Sequence, residues 1–250
     1  MSGSLGIIRP PAGAGLDWLK AGWGWFKPVP VPWMGMTALV FLALMGVGAI
    51  PYVGGYAIEI LSPFLVAGYM SASRAAETGQ PVTFLHLGAG FADTRGRLGL
   101  AVMGTVYLAG ILLIDQIMRQ MGGDGFQQMS QLAANPAGQD PAQVEAVMGQ
   151  ALPAVFTGLV LLTPLVMATW FAPALVLFDG FSAVNAMWWS LWACAVNWRP
   201  ILAYSMLLGL LGVVAMLIPF GLGLLVFLPW VLCSTYAAYR AIFQPVAAVP

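Results

Sequence analysis

Residues 201–242 read ILAYSMLLGLLGVVAMLIPFGLGLLVFLPWVLCSTYAAYRAI, and the first charged side chain in that stretch is Arg240. A membrane-spanning helix needs about 20 mostly apolar residues, because the hydrocarbon core is about 30 Å thick. The stretch supplies two such runs, Ile201 to Ile218 and Leu222 to Tyr239, folded back on each other at the turn Pro219-Phe220-Gly221. No water is present at that depth to satisfy open backbone groups, so runs of this kind form helices.

Four more runs appear on working outward: Met34 to Ile50, Val53 to Ser71, Leu98 to Ile117 and Ala154 to Phe178. The first two form a tight hairpin closed by Pro51, Gly54 and Gly55, and the last contains Pro164 and Pro173, which remove backbone bonds and kink helices. The expected class is therefore all-α, a polytopic membrane protein of six transmembrane helices plus amphipathic interfacial helices. Composition agrees, since 60% of the 250 residues are hydrophobic and 7% charged, with mean hydropathy +0.88, against about 25% charged in soluble domains. The expected layout is one membrane domain. It comprises an N-terminal segment (1–33), a first hairpin (34–71), a connection (72–97), a central pair (98–178) with an outer loop (119–150), an interfacial helix (179–199) and a last hairpin (200–243).

Two shorter segments are dense in Trp, the residue favoured at membrane–water interfaces. Leu16 to Phe26 carries Trp18, Trp23 and Trp25, and Phe181 to Trp198 carries Trp188, Trp189, Trp192 and Trp198. With Trp33 these are the expected interfacial anchors, and Ser182, Asn185, Ser190 and Asn197 are the only wet side the second segment offers. Val82 to Phe91 is too short to span. Residues 1–33 show neither a continuous apolar core nor a cleavage pattern, so no signal peptide is expected.

With six spans, eight of the nine basic residues fall on the side of the termini, and only Arg119 falls opposite. The positive-inside rule makes that side cytoplasmic. Asp124, Asp140 and Glu145 collect in the outer loop, in keeping with this.

The two ends of the chain repeat one pattern. Each has a Trp-rich segment, a Pro and Trp pair (Pro32-Trp33; Trp198-Arg199-Pro200), a span, an Ile-Pro-aromatic turn (Ile50-Pro51-Tyr52; Ile218-Pro219-Phe220) and a second span. Arg74 stands eleven residues beyond Pro63 and Arg240 eleven beyond Pro229. The expected relation is an approximate parallel repeat of the first and last hairpins.

Chemistry is sparse. Glu59 is the one acid well inside a span, where an ionisable group marks a functional candidate. Asp115 and Arg119 stand four apart, acid first, and read as an intrahelical ion pair. His86 reads as a satisfied or solvated histidine, Cys194 and Cys233 as small apolar residues. Arg74, Arg95, Arg97 and Arg240 are the expected contacts to anionic headgroups or a cytoplasmic partner. Gly104, Gly110, Gly46 and Gly223 read as sites of close helix packing. Nine basic residues balance nine acidic ones, leaving no surplus to neutralise nucleic-acid phosphates. No Ser, His and Asp set, HExxH motif, metal constellation or cofactor motif appears, so the expectation is a protein without enzymatic activity or cofactor.

The Trp-rich start, Leu61-Ser62-Pro63-Phe64 to Gly68-Tyr69-Met70, Ser73-Arg74-Ala75, Leu87 to Phe91 and the closing Tyr236 to Phe243 resemble a proteobacterial family of uncharacterised six-span inner-membrane proteins. A looser similarity links that family to the membrane domain of some glycerophosphodiester phosphodiesterases. The resemblance implies a multi-pass inner-membrane protein and carries over no site residues. The function expected first is an accessory, scaffold or assembly subunit, with the bilayer and either partner membrane subunits or further copies of itself as neighbours. The alternatives are a small-solute or proton-coupled transporter, with Glu59 as its ionisable centre and Pro63, Pro164 and Pro229 as hinges, and a lipid-binding or membrane-stress protein.

Overall fold

The computed structural model describes residues 5–92, 94–123, 125, 128, 129, 131 and 141–245. The chain is helical, in the order β1 (Leu5–Ile7), α1 (Ala14–Phe26), α2 (Pro30–Gly48), α3 (Gly54–Glu77), a 3-10 turn (Phe84–Gly88), α4 (Ala89–Ala92), α5 (Thr94–Gly122) and α6 (Pro141–Trp170). It continues through α7 (Ala172–Asp179), α8 (Ala183–Val196), α9 (Trp198–Met216), a 3-10 turn (Pro219–Gly221), α10 (Leu222–Ile242) and β2 (Phe243–Pro245). Two compact units form: the residues up to Thr105 with those from Met167 on, and Val106–Val166.

Among the described residues five helical stretches are long and apolar enough to cross a membrane: Pro30–Gly48, Thr94–Gly122, Val144–Asp179, Trp198–Met216 and Pro219–Ile242. The expected second span falls on α3, whose 24 residues are long enough to cross but which is not among these five. Glu59, Ser62, Ser71, Ser73 and Arg74 make it less apolar than the other five. On α9 the apolar Leu202, Met206, Leu210, Val213 and Met216 all face outward, as lipid contact requires.

Several boundaries differ from those expected. Within 119–150, α5 runs on through Gly122 and α6 begins at Pro141, because proline at a helix start lacks only an N–H that has no partner there anyway. Asp124, Asp140 and the Asn135-Pro136 pair lie outside the described residues. The fourth span is not one rod, since it breaks at Phe171 between α6 and α7. Pro164 stays inside α6, while Pro173 opens α7.

In the larger unit, α1 lies across α9 and α10. A Cβ on Gly22 would stand 2.5 Å from the Ser234 nitrogen, and one on Gly15 would stand 3.0 Å from the Tyr204 Cβ. Only glycine permits that approach. The Trp230 indole N–H donates to the Leu19 carbonyl at 2.9 Å, fastening the same crossing. Trp18, Leu19 and Phe26 are consequently buried. The segment is not simply an interfacial float. Burial of side chains between spans gains little hydrophobic free energy, because lipid tails are as apolar as Leu, so close packing and polar pairs must hold such a unit together.

The two hairpins close alike. Tyr52 (φ 64°) and Phe220 (φ 59°) are the non-glycine residues with left-handed backbone among those described, and they occupy the matched Ile-Pro-aromatic turns. Just beyond each turn the backbone of the preceding helix presses on a glycine: the Val47 carbonyl on Gly54, the Ala215 carbonyl on Gly223. At the far end β1 pairs antiparallel with β2, Gly6 opposite Gln244, so residues 5–7 and 243–245 lie side by side.

Candidate functional site

Among the described residues a polar cluster sits where α3, α7 and α10 end, beside the β1–β2 pair. Leu, Ala and Gly line most of these helices, but their last turns carry Arg74 and Glu77, Asp179, and Tyr236, Tyr239 and Arg240. The Tyr236 hydroxyl donates to Glu77 Oε2 at 2.7 Å, and the Arg240 Nε lies 3.5 Å from Glu77 Oε1. The Tyr239 hydroxyl donates to Asp179 Oδ2 at 2.5 Å. The Arg74 guanidinium stands over the Phe178 ring, 5.0 Å from its centroid. Both phenol rings are buried, at 1% and 5% exposure, while Arg240 is mostly solvated. The phenol bonds therefore dominate: a hydrogen bond to a charged group contributes about 1.5–3 kcal/mol, whereas an exposed ion pair contributes at most about 1 kcal/mol. Ser73 meets Cys233 and, one turn on, Glu77 meets Tyr236 and Arg240, so α3 and α10 run the same way, as the repeat requires. A cleft of about 500 Å³ opens beside the cluster, bounded by Glu77, Arg240, Asp17, Trp25 and Pro10.

Deeper in the same unit each hairpin has a hydroxyl pair. Thr37 and Tyr69 share a hydrogen bond of 2.8 Å, and Tyr204 shares bonds with Ser234 (2.6 Å) and Thr235 (3.2 Å). Ser73 donates to the Cys233 sulfur at 3.6 Å, linking α3 to α10. At the α6–α7 break the Ser190 hydroxyl accepts from the Phe171 N–H (3.0 Å) and donates to the Met167 carbonyl (2.7 Å). Those two groups would bond each other in an unbroken helix, so the side chain is inserted into the ladder.

The sequence-derived candidates distribute as follows. Glu59 is half-buried in α3, and its carboxylate has no hydrogen bond or ion pair among the described residues; only its backbone carbonyl accepts, from Ser62 at 2.9 Å. Arg95 and Arg97 are exposed at the start of α5, where Arg95 borders a cleft of about 500 Å³ with Gly99, Val176 and Phe181. Arg119 Nε donates to Asp115 Oδ2 at 2.8 Å. His86 has Ser71 Oγ at 3.3 Å and the Pro81 carbonyl at 3.4 Å. Trp23, Trp188, Trp192 and Trp198 are exposed, Trp25 and Trp189 half-buried. Trp18 and Trp33 are core residues, not anchors: α2 starts at Pro30, so Trp33 lies in its first turn, fully buried and stacked on Tyr69. Ser190 and Asn197 are likewise buried rather than wet, Asn197 donating to the Ile8 carbonyl at 3.2 Å. Burial pushes the Cys194 thiol up to about 12.

Sequence reasoning missed Glu77, Asp179, Tyr239, Tyr204 and Ser190. The signal for the first was available, since Glu77 lies one turn beyond Arg74 on α3, but its partner Tyr236 is 159 residues away. Among the described residues no three His, Cys, Asp or Glu side chains come together.

No family model matches the chain, and no solved structure matches it. It is 27% identical, over 95% of its length and 93% of the relative's, to a protein of Burkholderia thailandensis named as a probable inner membrane protein. Nothing in these comparisons supports the looser similarity to phosphodiesterase membrane domains. The likeness to the Burkholderia thailandensis inner membrane protein and the long apolar helices together make the chain a multi-pass integral protein of the inner membrane.

Proposed function

We propose that this protein is a non-catalytic accessory, scaffold or assembly subunit of a larger inner-membrane complex, with both termini cytoplasmic. Membership of the six-span family that its motifs resemble is part of the proposal. One observation carries it: in the larger unit buried hydroxyls between helices are committed to partners on other helices, as in Tyr236 with Glu77, Tyr239 with Asp179, Thr37 with Tyr69 and Tyr204 with Ser234. Groups used to lock helices are not free to pass a proton or grip a solute. The apolar exterior then offers the partner-facing and lipid-facing surface. Purification from native membranes in mild detergent, with mass spectrometry of what stays bound, is the test. A partner at near-equal amounts is expected, and repeated recovery of the chain alone overturns the reading.

A second reading is favoured by Glu59, whose half-buried carboxylate stands one turn before Pro63 without a partner among the described residues. An ionisable group so placed suits a proton-coupled or small-solute transporter, with Pro63, Pro164 and Pro229 as hinges. Under the first reading Glu59→Gln keeps full function; under the second it abolishes uptake into proteoliposomes.

A further inference from the structure

The α1 crossing creates a groove that the cluster above does not use. It has a volume of about 400 Å³ and lies between α1, α9 and α10, walled by Leu16 and Trp23 on one side and by Leu207, Leu210 and Leu211 on the other. The Trp230 ring closes one flank, its N–H held by the Leu19 carbonyl. Lys20 is the one charged residue among those lining it, is exposed, and has no ion pair among the described residues.

The groove has a direction. Gly15 of α1 packs on Tyr204, and Leu207 to Leu211 follow Tyr204 along α9 toward Met216, away from Arg199 and from Asn197, which bonds Ile8 just beyond β1. The apolar wall thus leads from α1 into the hydrocarbon, while the cation and the exposed Trp23 stay at the level of α1, where interfacial aromatic and basic residues belong. An apolar trough in the bilayer with a single unpaired cation at its shallow end is complementary to one molecule type. We propose that this groove holds an acyl chain of an anionic phospholipid, with the headgroup phosphate against the Lys20 ammonium. Its size falls within the roughly 300–1,000 Å³ of small-ligand sites. The site is independent of whether a partner subunit is bound.

The full-length protein, purified in mild detergent and exchanged into an equimolar mixture of phosphatidylglycerol and phosphatidylcholine, is analysed by native mass spectrometry for retained lipid. Wild type should keep phosphatidylglycerol in excess. Lys20→Gln, at an exposed position that leaves packing alone, should lower phosphatidylglycerol retention by roughly fivefold, the effect of one basic residue at a membrane surface, and leave phosphatidylcholine unchanged. Leu207→Trp, which fills the trough, should reduce both lipids. Equal retention of the two lipids by wild type overturns the proposal, as does an unchanged ratio in Lys20→Gln. Displacement of the lipid by free glycerol 3-phosphate would mark a headgroup site without an acyl trough and overturn it too. A lipid-free dimer insensitive to Lys20→Gln would make a second copy the occupant.

Discussion

Thr37 on α2 and Tyr69 on α3 share a buried hydroxyl hydrogen bond of 2.8 Å, and the last hairpin makes the same bond with the partners exchanged, Tyr204 on α9 meeting Thr235 on α10 at 3.2 Å. Tyr69 stands six residues beyond Pro63, and Thr235 six beyond Pro229. A hydroxyl pair needs one donor and one acceptor, and either order of Tyr and Thr satisfies both. Membrane constraints alone account for a proline at a turn or an arginine at a helix end. They do not call for a Tyr and Thr pair at matched depth, so the likeness of the two hairpins extends from their turns into the core.

The lock between α3 and α10 should depend on the phenol more than on the arginine. Tyr236→Phe is expected to destabilise the protein by about 1–2 kcal/mol, the lost charge-assisted bond discounted because Glu77 can regain water. Arg240→Gln should destabilise it by less than about 1 kcal/mol. Thermal unfolding in detergent separates the two, and a larger loss in the arginine variant would contradict the ranking.

Gly22 and Gly24 sit two residues apart on α1, yet only the first is pressed against α10. Gly22→Leu should lift α1 from its seat and expose the N-terminal segment to protease, whereas Gly24→Ala, with open space around its Cβ, should leave the digestion pattern as it is. Equal protection in both variants would refute the crossing.

Removing the Ser190 hydroxyl strands the Phe171 N–H and the Met167 carbonyl, both held at the break by this one side chain. Ser190→Ala is expected to destabilise by about 1–3 kcal/mol, the penalty for buried polar groups left unpaired. A neutral result in unfolding experiments would mean that the break closes into continuous helix.

Tyr52 and Phe220 are 96% and 98% exposed in left-handed backbone, so no internal contact offsets their strain. Relief of roughly 1–2 kcal/mol, set against the roughly 0.5–1 kcal/mol of added chain entropy from glycine, predicts that Tyr52→Gly and Phe220→Gly each stabilise the detergent-solubilised protein slightly. A clear drop in melting temperature would show that the rings pack on something.

The Cys194 thiol, raised to about 12 by burial, should stay protonated and unlabelled by maleimide at pH 7–9, and react only after denaturation. Labelling of the folded protein at pH 8 would place this residue on an accessible surface.

Much of this was legible in the chain itself. The existence of the spans, both hairpin turns, the Asp115–Arg119 pair and the matched proline-to-arginine spacing all follow from local rules: apolar length against bilayer thickness, turn chemistry, and the pitch of a helix. A one-dimensional pattern suffices for them because the solvent on either side of a span is known. What only the tertiary structure decided is which groups meet across long separations. Composition gives Trp18 and Trp23 the same preference for an interface, yet Trp18 is buried against Tyr204 while Trp23 stays exposed, because glycines at 15 and 22 let α1 settle onto α9 and α10. Ser190 reads as a wet position until the break at Phe171 supplies it with two unpaired backbone groups. Glu77 and Tyr236 are 159 residues apart and become partners only once α3 and α10 lie parallel with their ends level. Spacing along a chain sets which face a residue occupies, and the packing of backbones sets what that face touches.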